Sequence, residues 1–487
     1  MELEPVIGLE IHFQLKTKSK MFCRCKNIFG DVPPNSAICP ICLGHPGTLP
    51  VPNKLAIEWT QRMGAALNCE LATVSKFDRK HYFYPDLPKG YQISQFDQPL
   101  CGAGGLEITV AGQRTTVGIT RLHLEEDAAK NTHPEGAKYS LIDFNRAGTP
   151  LMEIVTEPTL TSPLQAKIFL QEIQRIARTL MVSDADMEKG QMRCDANISL
   201  RPAGSTGLHP KTEIKNLNSF KFVAQALTYE IKRQTEAWKQ GLAPKTQSTR
   251  GFNSKDGVTT EQRSKEEAAD YRYFPEPDIP PFEFTDQQLG TVRANLPELP
   301  LKKLTRFMRE YDISEQGAAQ LIANPGLASF FEATASELAQ LDNEETELTA
   351  KDVAPLVKLS LNTILRHASN LADYQKITPA NFAELMVLVH QGHVNQGTIA
   401  HILQEMARTG GDPDHVINTL GAAQVSDEAD LAEHIAAAIT ANPEVVDKIK
   451  AGKEAALQYL VGQVMARTKG KANPKIVATL LSKKIKP

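Results

Sequence analysis

The feature that most constrains this fold is a break at residues 275–281, where four of seven residues are prolines. Such a run continues neither a helix nor a central strand, because proline lacks the backbone N–H that both need. Before the break, alternating apolar and polar runs between Gly, Pro and Asn positions predict strands and turns. After it, apolar residues recur at helical spacing. We predict an α+β domain over residues 1–290, an all-α connector over 291–409 and an all-α tail over 410–487.

Local signals predict individual elements within this frame. Residues 105–124 alternate on both sides of an Ala-Gly turn, which predicts a hairpin. One helix is predicted over 163–180, after the N-cap Ser162, and another over 219–240, ending before Gly241. Beyond the proline-rich break, helical spacing covers residues 301–311, 315–322, 354–372, 380–392 and 396–408.

Composition limits the class of function. The 487-residue chain has a net charge of -3 at pH 7, so nucleic-acid binding requires a local basic patch. The N-terminus lacks the basic segment and apolar run of a signal peptide. No window has the apolar length needed to cross a bilayer. We therefore expect a cytoplasmic protein without membrane association.

Four of the seven cysteines lie in two close pairs, Cys23 with Cys25 and Cys39 with Cys42. A reducing cytosol disfavours disulfides, whereas two pairs of thiolates are typical of a tetrahedral zinc site. The first pair is one residue tighter than the usual Cys-x-x-Cys, and four ordinary reduced cysteines are the alternative. Since four like ligands leave no open coordination position, we expect a structural ion.

Acidic residues recur inside apolar strands of the first domain. Glu10 and His12 are two residues apart in an alternating segment, so their side chains leave the same face of a strand. Three consecutive acidic residues, at positions 125–127, end the hairpin. Glu153 lies in an apolar strand, and Asp195 alternates with apolar neighbours. Each segment alone is consistent with a solvated strand face. Because such carboxylates are costly unless paired or metal-bound, together they favour an oxygen-rich site of the kind that holds Mg²⁺.

Basic and aromatic residues accompany these acids. The interleaved cations, which could neutralise phosphates or pair with nearby surface acids, are Arg121, Arg146, Arg193, Arg201, Lys211 and Lys215. Residues 76–95 and 270–278 mix aromatic and basic side chains that could stack on nucleotides or pack on their own sheet. A Gly-rich loop ending in Lys-Ser/Thr is missing from the sequence, so P-loop chemistry is not indicated.

These segments carry a resemblance to a known family. The chain resembles the B subunit of the bacterial-type, tRNA-dependent amidotransferase, which makes Gln-tRNA or Asn-tRNA from mischarged precursors. The matching segments span nearly the whole chain, at residues 6–12, 77–86, 91–99, 121–128, 193–201, 213–220, 270–278, 460–465 and 470–474. The resemblance implies a cradle-shaped kinase domain, a helical connector and a helical tail that contacts tRNA. It also implies a heterotrimer with two partners, a glutaminase (amidase) and a small tethering protein.

The resemblance further implies a carbon–nitrogen ligase that works in two steps. ATP phosphorylates the side-chain carboxylate of Glu or Asp esterified to tRNA, because a bare carboxylate has no leaving group. Ammonia from the glutaminase then displaces phosphate from the acyl phosphate. Phosphoryl transfer depends on positioning and charge neutralisation more than on a strong base, which suits Mg²⁺ ligands with cations nearby.

Carried over by motif, the resemblance assigns roles to residues of this chain. The expected Mg²⁺ ligands are Glu10, His12, Glu125, Glu153 and Asp195. Lys80 and Lys89 match polar positions near the exit of the ammonia channel. The expected catalytic set consists of these two lysines with Glu10, His12 and Glu125. The residues expected to contact ATP or the acyl phosphate are Arg193, Asn197 and Lys215. Zinc would stabilise this particular chain and would not take part in the mechanism, since some members of the family keep the loop without the cysteines.

The tail contains a basic run that consists of Arg467, Lys469, Lys471 and Lys475. This run is suited to backbone contact with tRNA, or to solubility alone.

A different class of function stays open, a zinc-stapled tRNA-binding assembly factor without catalysis. The acidic set separates the two, because converging carboxylates would oppose phosphate binding in a pure binder, whereas a kinase uses them for Mg²⁺.

Overall fold

The computed structural model describes residues 2–30, 32–264, 271–340, 350–367, 376–422, 428–450, 455–468 and 472–485. The chain divides into two compact units, Met1–Pro300 and Leu301–Pro487. The first combines helices with a large sheet and the second is helical over its described residues, which confirms the mixed α+β class with a helical C-terminal part. The three-part division at residues 290 and 409 stays a prediction.

The strands of the first unit pair mainly in antiparallel fashion. They are β1 (Leu3–Gln14), β2 (Val74–Ser75), β3 (Asp78–His81), β4 (Tyr91–Ser94), β5 (Gly104–Val110), β6 (Gln113–Glu126), β7 (Lys130–Thr132), β8 (Leu141–Asp143), β9 (Pro150–Thr156), β10 (Met192–Pro202), β11 (Thr212–Leu217), β12 (Ser248–Asn253), β13 (Val258–Ser264), β14 (Phe274–Pro275) and β15 (Phe282–Glu283). Its helices are α1 (Lys54–Ala66), α2 (Pro163–Thr179), α3 (Phe220–Lys239) and α4 (Asp286–Ala294).

Eight strands form the large sheet, in the order β13-β12-β11-β10-β1-β9-β6-β5. Strand β1 lies near its middle, antiparallel to β10 on one side and β9 on the other. The apolar residues Ile7, Leu9 and Ile11 share one hydrophobic core with residues of α1, α2 and α3. Because successive side chains of a strand point to opposite faces, Glu10 and His12 leave the face that is turned away from this core.

Several local predictions are confirmed. The hairpin is formed by β5 and β6, and its turn residues Ala111 and Gly112 have φ of 50° and 80°. Positive φ at both positions matches the twist of the flanking strands. Helices α2 and α3 begin after Ser162 and Ser219, whose side chains accept hydrogen bonds from the backbone N–H of the residue three positions later.

The proline-rich break folds back onto the first unit. Phe274–Pro275 (β14) pairs with β3 in a small sheet of order β14-β3-β4, and Phe282–Glu283 (β15) pairs with β2. These pairings are short and lie at sheet edges, where proline is tolerated. Between them, Glu276 is buried and accepts from Arg79 at 2.7 Å. No long helix or strand therefore runs through residues 275–281, and this segment packs beside β3.

The described residues of the second unit form two hydrophobic cores, one within residues 307–417 and the other within residues 431–485. Its helices are α5 (Pro300–Tyr311), α6 (Glu315–Ile322), α7 (Pro325–Gln340), α8 (Ala350–Arg366), α9 (Pro379–His390), α10 (Ile399–Thr409), α11 (Pro413–Leu420), α12 (Glu428–Ala441), α13 (Pro443–Lys450), α14 (Ala455–Arg467) and α15 (Pro474–Ile485), with a 3₁₀ turn at Gln396–Thr398. The end of the predicted helix 354–372 lies outside the described residues. Within the parts of the chain that are described, no helix is long and apolar enough to span a membrane.

Candidate active site

The strand register brings distant polar residues onto one face of the large sheet. His12 of β1 lies opposite Glu153 of β9, 141 residues away in the chain. Glu153 lies opposite His123 of β6, and Glu10 lies opposite Asp195 of β10. Directly opposed residues of antiparallel strands present their side chains on the same face. These residues therefore form two adjacent rows on one face, with His12, Glu153 and His123 in one row and Asp195 and Glu10 in the other.

Five side chains of this face form what we call the carboxylate–histidine cluster, namely Glu10, His12, His123, Glu125 and Glu153. The Nε2 atoms of His12 and His123 each lie 3.2 Å from Oε2 of Glu153. His12 Nε2 also lies 3.8 Å from Glu10 Oε1 and 3.9 Å from Glu125 Oε1. His123 Nε2 lies 3.7 Å from Glu125 Oε2. The two imidazoles therefore bridge the three carboxylates.

Burial makes the protonation of these groups interdependent. Burial opposes the charge of His123, but Glu153 and Glu125 outweigh it and raise its pKa to about 9. Burial also opposes the charge of Glu153, yet His123 and His12 hold the pKa of that carboxyl well below its usual range. Burial and the Glu153 charge raise the pKa of Glu10. Imidazole protons thus provide the counter-charge for the buried carboxylates.

The donor set of the cluster suits a divalent cation. Glu10, His12 and Glu153 offer ligand atoms within 4.8 Å of one another, as do His123, Glu125 and Glu153. Carboxylate oxygens are the ligands that Mg²⁺ prefers, and imidazole nitrogens suit related divalent metals. Asp195 lies directly opposite Glu10, but it belongs to neither donor group and its Oδ2 lies 3.5 Å from the Lys215 ammonium. The residues of the cluster therefore fit the predicted ion, and Asp195 lies beside them.

Comparison with known proteins identifies the family. The family described as "GatB/GatE catalytic domain" matches residues 5–290, and the one described as "GatB domain" matches residues 329–485. The B subunit of aspartyl/glutamyl-tRNA(Asn/Gln) amidotransferase from Dehalococcoides mccartyi is 47% identical over 485 residues, which is 99% of this chain and 98% of that protein. The proteins of the same name from Thermodesulfovibrio yellowstonii and Persephonella marina are each 44% identical, over 100% of both chains. This chain belongs to the family of amidotransferase B subunits.

In this member of the amidotransferase family, the two predicted lysines lie in different surroundings. Burial opposes the charge of Lys80, but Glu125 and Glu153 raise its pKa above the usual value. The Lys80 Nζ lies 4.8 Å from the centre of the Tyr271 ring. Lys89 instead forms an ion pair with Glu126. The structure thus brings Lys80 to the carboxylate–histidine cluster and gives Lys89 a neighbouring carboxylate as its partner.

The residues predicted to contact ATP or the acyl phosphate lie along β10 and β11. Arg193 Nη2 lies 3.1 Å from Asp127 Oδ1, and Lys215 Nζ lies 3.5 Å from Asp195 Oδ2. The side-chain oxygen of Asn197 is buried and has no hydrogen-bond partner among the described residues. Asn197 and Asp195 are two residues apart on β10 and share its polar face. Strands β10 and β11 therefore extend this polar face with an amide and two cations.

Two residues that sequence reasoning did not select belong to this site, His123 within the cluster and Ser94 beside it. His123 alternates with Glu125 on β6, so the same two-residue spacing that singled out Glu10 and His12 would have found it. Ser94, at the end of β4, donates a hydrogen bond to Glu125 Oε2 at 2.9 Å. Strand β4 belongs to the small sheet, so only tertiary packing places its last residue beside the cluster.

The structure also brings the four predicted zinc ligands together. The Sγ atoms of Cys23, Cys25, Cys39 and Cys42 lie within 4.8 Å of one another, and all four cysteines are free. Cys39 and Cys42 have their sulfurs 3.8 Å apart, and a tetrahedron with Zn–S bonds of about 2.3 Å has edges of about 3.8 Å. The backbone N–H of Cys39 donates to the Cys42 sulfur at 3.1 Å. The hydrogen bond from Cys23 lowers the pKa of the Cys42 thiol to about 5. The residues fit a closed zinc site, which we call the four-cysteine site.

The predicted tRNA contacts of the tail are only partly described. Arg467 is the last residue of α14 and is exposed. Lys475 lies in the first turn of α15, but its side chain lies outside the described residues, as do Lys469 and Lys471. The tRNA-binding role of this basic run stays a prediction.

Proposed function

We propose that this chain works in the cytoplasm as part of a heterotrimer with a glutaminase (amidase) and a small third protein. The assembly would convert Glu-tRNA(Gln), Asp-tRNA(Asn) or both to the amidated forms. The names of the relatives support the substrate class and the existence of partner subunits. The polar face of the large sheet would be the cradle of an ATP-dependent kinase, and the observation that carries this assignment is the carboxylate–histidine cluster.

The proposed reaction has two balanced steps. In the first, a side-chain carboxylate oxygen of the aminoacyl group attacks the γ-phosphorus of ATP, and ADP leaves with the electrons of the broken P–O bond. In the second, ammonia attacks the acyl carbon and phosphate leaves, while a proton is lost from nitrogen. Both steps spread negative charge over oxygens, so fixed cations that face those oxygens accelerate them.

The ion site would be formed by Glu10, His12, Glu125, Glu153 and Asp195, and we add His123 because it shares the Glu153 carboxylate with His12. When bound, Mg²⁺ would neutralise phosphate charge in the kinase step. Lys80 remains charged at the edge of the cluster and would bind an anionic oxygen of the substrate. Arg193 and Lys215 would contact phosphate oxygens. The unpaired oxygen of Asn197 would accept a hydrogen bond from a nucleotide hydroxyl or amino group.

Lys89 would lie along the route by which ammonia arrives. A free lysine ammonium in such a route would exchange protons with ammonia and trap it as ammonium. The ion pair with Glu126 holds the Lys89 proton in place and so opposes that loss. Gly148, Cys42 and Tyr91 line the same cavity as this pair.

The test is Glu125→Gln in the assembled heterotrimer, with ATP hydrolysis, amidation and tRNA binding measured separately. The substitution keeps the shape of the side chain and removes its charge. We expect ATP-dependent activation to fall by about 100-fold or more, with the affinity for mischarged tRNA within a few-fold of wild type. Glu107→Gln is the matched control, because Glu107 lies on β5 of the same sheet with an exposed side chain paired to Arg114.

Unchanged turnover in Glu125→Gln would refute the kinase assignment. A second outcome separates the two classes of function already considered. If the wild-type assembly bound mischarged tRNA and left ATP untouched, the zinc-stapled assembly factor would replace the kinase.

A further inference from the structure

Lys20 follows β1, and its side chain is completely buried. Its Nζ donates a hydrogen bond to the backbone oxygen of Phe144 at 3.1 Å. That acceptor is neutral, and no carboxylate of the described residues lies within ion-pair distance of the ammonium. A buried charge without a counter-charge is costly. The burial of Lys20 therefore calls for an anionic partner other than a carboxylate.

Lys20 lies against both cysteine pairs. Its backbone N–H donates to the carbonyl oxygen of Cys25 at 3.0 Å, at the base of the loop that holds the first pair. A methyl group placed on Gly148 would lie 3.6 Å from Cδ of Lys20 and 3.7 Å from Cβ of Cys42, so both side chains lie beside the same glycine. Lys20 also lines one cavity together with Cys23, Cys25 and Cys39.

The Glu126 carboxylate lies near this arrangement. Its Oε2 lies 3.9 Å from the same position above Gly148. This carboxylate already forms an ion pair with Lys89 and accepts a hydrogen bond from the backbone N–H of Ile93 at 3.0 Å. Its single charge is therefore shared with another lysine, and the thiolates remain the unmatched anions beside Lys20.

We propose that Lys20 is the internal counter-charge of the four-cysteine site. Binding of Zn²⁺ forms four Zn–S bonds and releases the protons that the thiols still hold, with no change of oxidation state. The bound centre then has a net charge of minus two, and the Lys20 ammonium reduces it to minus one. The same ammonium faces fewer thiolates in the metal-free site. Lys20 thus favours the metal-bound form, in which it faces more negative charge.

This inference rests on the proposed zinc site and goes beyond it by naming a residue that is not a ligand. The experiment compares the zinc affinity of the full chain and its variants by competition with a chelator. Lys20→Met keeps the volume and removes the charge, and we expect about 10–100-fold weaker zinc binding. Lys20→Arg restores the charge and should recover most of the affinity. Lys26→Met is the matched control, because Lys26 is next to Cys25 but less buried than Lys20, and its affinity should stay within about 3-fold of wild type.

Two further readouts distinguish a counter-charge from a packing role. Lys20→Met should lower the unfolding temperature of the zinc-bound chain by more than that of the zinc-free chain, because the ammonium faces more negative charge in the zinc-bound form. In the cobalt-substituted protein, the thiolate-to-cobalt charge-transfer band should move to longer wavelength, while the visible bands keep their tetrahedral intensity. Lys20→Gln, which can retain the hydrogen bond to Phe144, provides the same measurements if the methionine variant does not fold.

The outcomes separate the counter-charge from the metal site itself. Equal zinc affinity in wild type and Lys20→Met, or equal destabilisation of the zinc-bound and zinc-free forms, would overturn the role of Lys20. A wild-type chain that takes up no zinc would overturn the four-cysteine site on which the inference rests.

Discussion

The carboxylate–histidine cluster and the four-cysteine site lie in the same unit and are assembled in different ways. The cysteines come from two short segments between residues 23 and 42, joined by turns. The cluster takes its side chains from β1, β6 and β9, which meet only through the hydrogen-bond register of the large sheet. One site therefore depends on local chain geometry, and the other depends on the correct pairing of distant strands.

The two sites also balance their charges differently. In the cluster, His12 and His123 share one carboxylate oxygen of Glu153, so protons on the imidazoles can be exchanged for a cation. In the four-cysteine site, the ligand atoms are all sulfur, and the buried cation beside them is Lys20, which cannot leave. The first arrangement suits an ion that takes part in turnover, and the second suits an ion that stays bound.

The largest expected effect that separates the two sites is that of Glu153→Gln. Both imidazoles would lose the carboxylate they share, so we expect amidation of mischarged tRNA to fall by about 100-fold or more, with the zinc content unchanged. Glu157→Gln is the matched control, since Glu157 is exposed just beyond the same strand. Activity measurements and metal analysis on both variants check this. Near-normal turnover in Glu153→Gln would contradict the central role of the cluster.

The converse substitution is Cys39→Ser, which removes one sulfur ligand. We expect the bound zinc to be lost and the unfolding temperature of the chain to fall by roughly 5–10 °C. Turnover measured well below that temperature should stay within a few-fold of wild type, because the ion is structural. Zinc retained at full stoichiometry would argue against the four-cysteine site. A loss of turnover as large as that of Glu153→Gln would show that the two sites do not act independently.

The smallest expected effect concerns pH. The pKa of His123, about 9 in the folded chain, exceeds the unfolded value of about 6.5. Its contribution to the free energy of unfolding is therefore fully present below about pH 6.5 and is lost as pH rises through about 9. In Mg²⁺-free buffer we expect wild type to lose on the order of 1–3 kcal/mol over this range, and His123→Gln to lose less.

Thermal unfolding of both proteins between these pH values measures the difference. Added Mg²⁺ should flatten the wild-type profile, because a bound metal takes the place of the imidazole proton. Identical pH profiles for wild type and His123→Gln in the absence of Mg²⁺ would rule out protonated His123 as the counter-charge of the cluster.

Much of the local architecture could be predicted because neighbouring residues determine it. The Ala111-Gly112 turn, the caps Ser162 and Ser219 and the two cysteine pairs are all set within a few positions of the chain. The shared face of Glu10 and His12 follows from the two-residue period of a strand. The same period places His123 and Glu125 on one face. The prolines predict that helices and strands end at the break. Its pairing with β3 and β2 could not be predicted in the same way, because it depends on partners about 200 residues earlier.

The sequence by itself determined the strand and helix patterns, the paired cysteines and the family to which the chain belongs. Only the tertiary structure decided that His12 meets Glu153, that Lys89 pairs with Glu126, and that Lys20 is buried beside the cysteines. The physical reason is that register and burial depend on contacts between residues far apart in the chain. A slip of one residue between β1 and β9 would turn every side chain of one strand to the opposite face, and the cluster would not form.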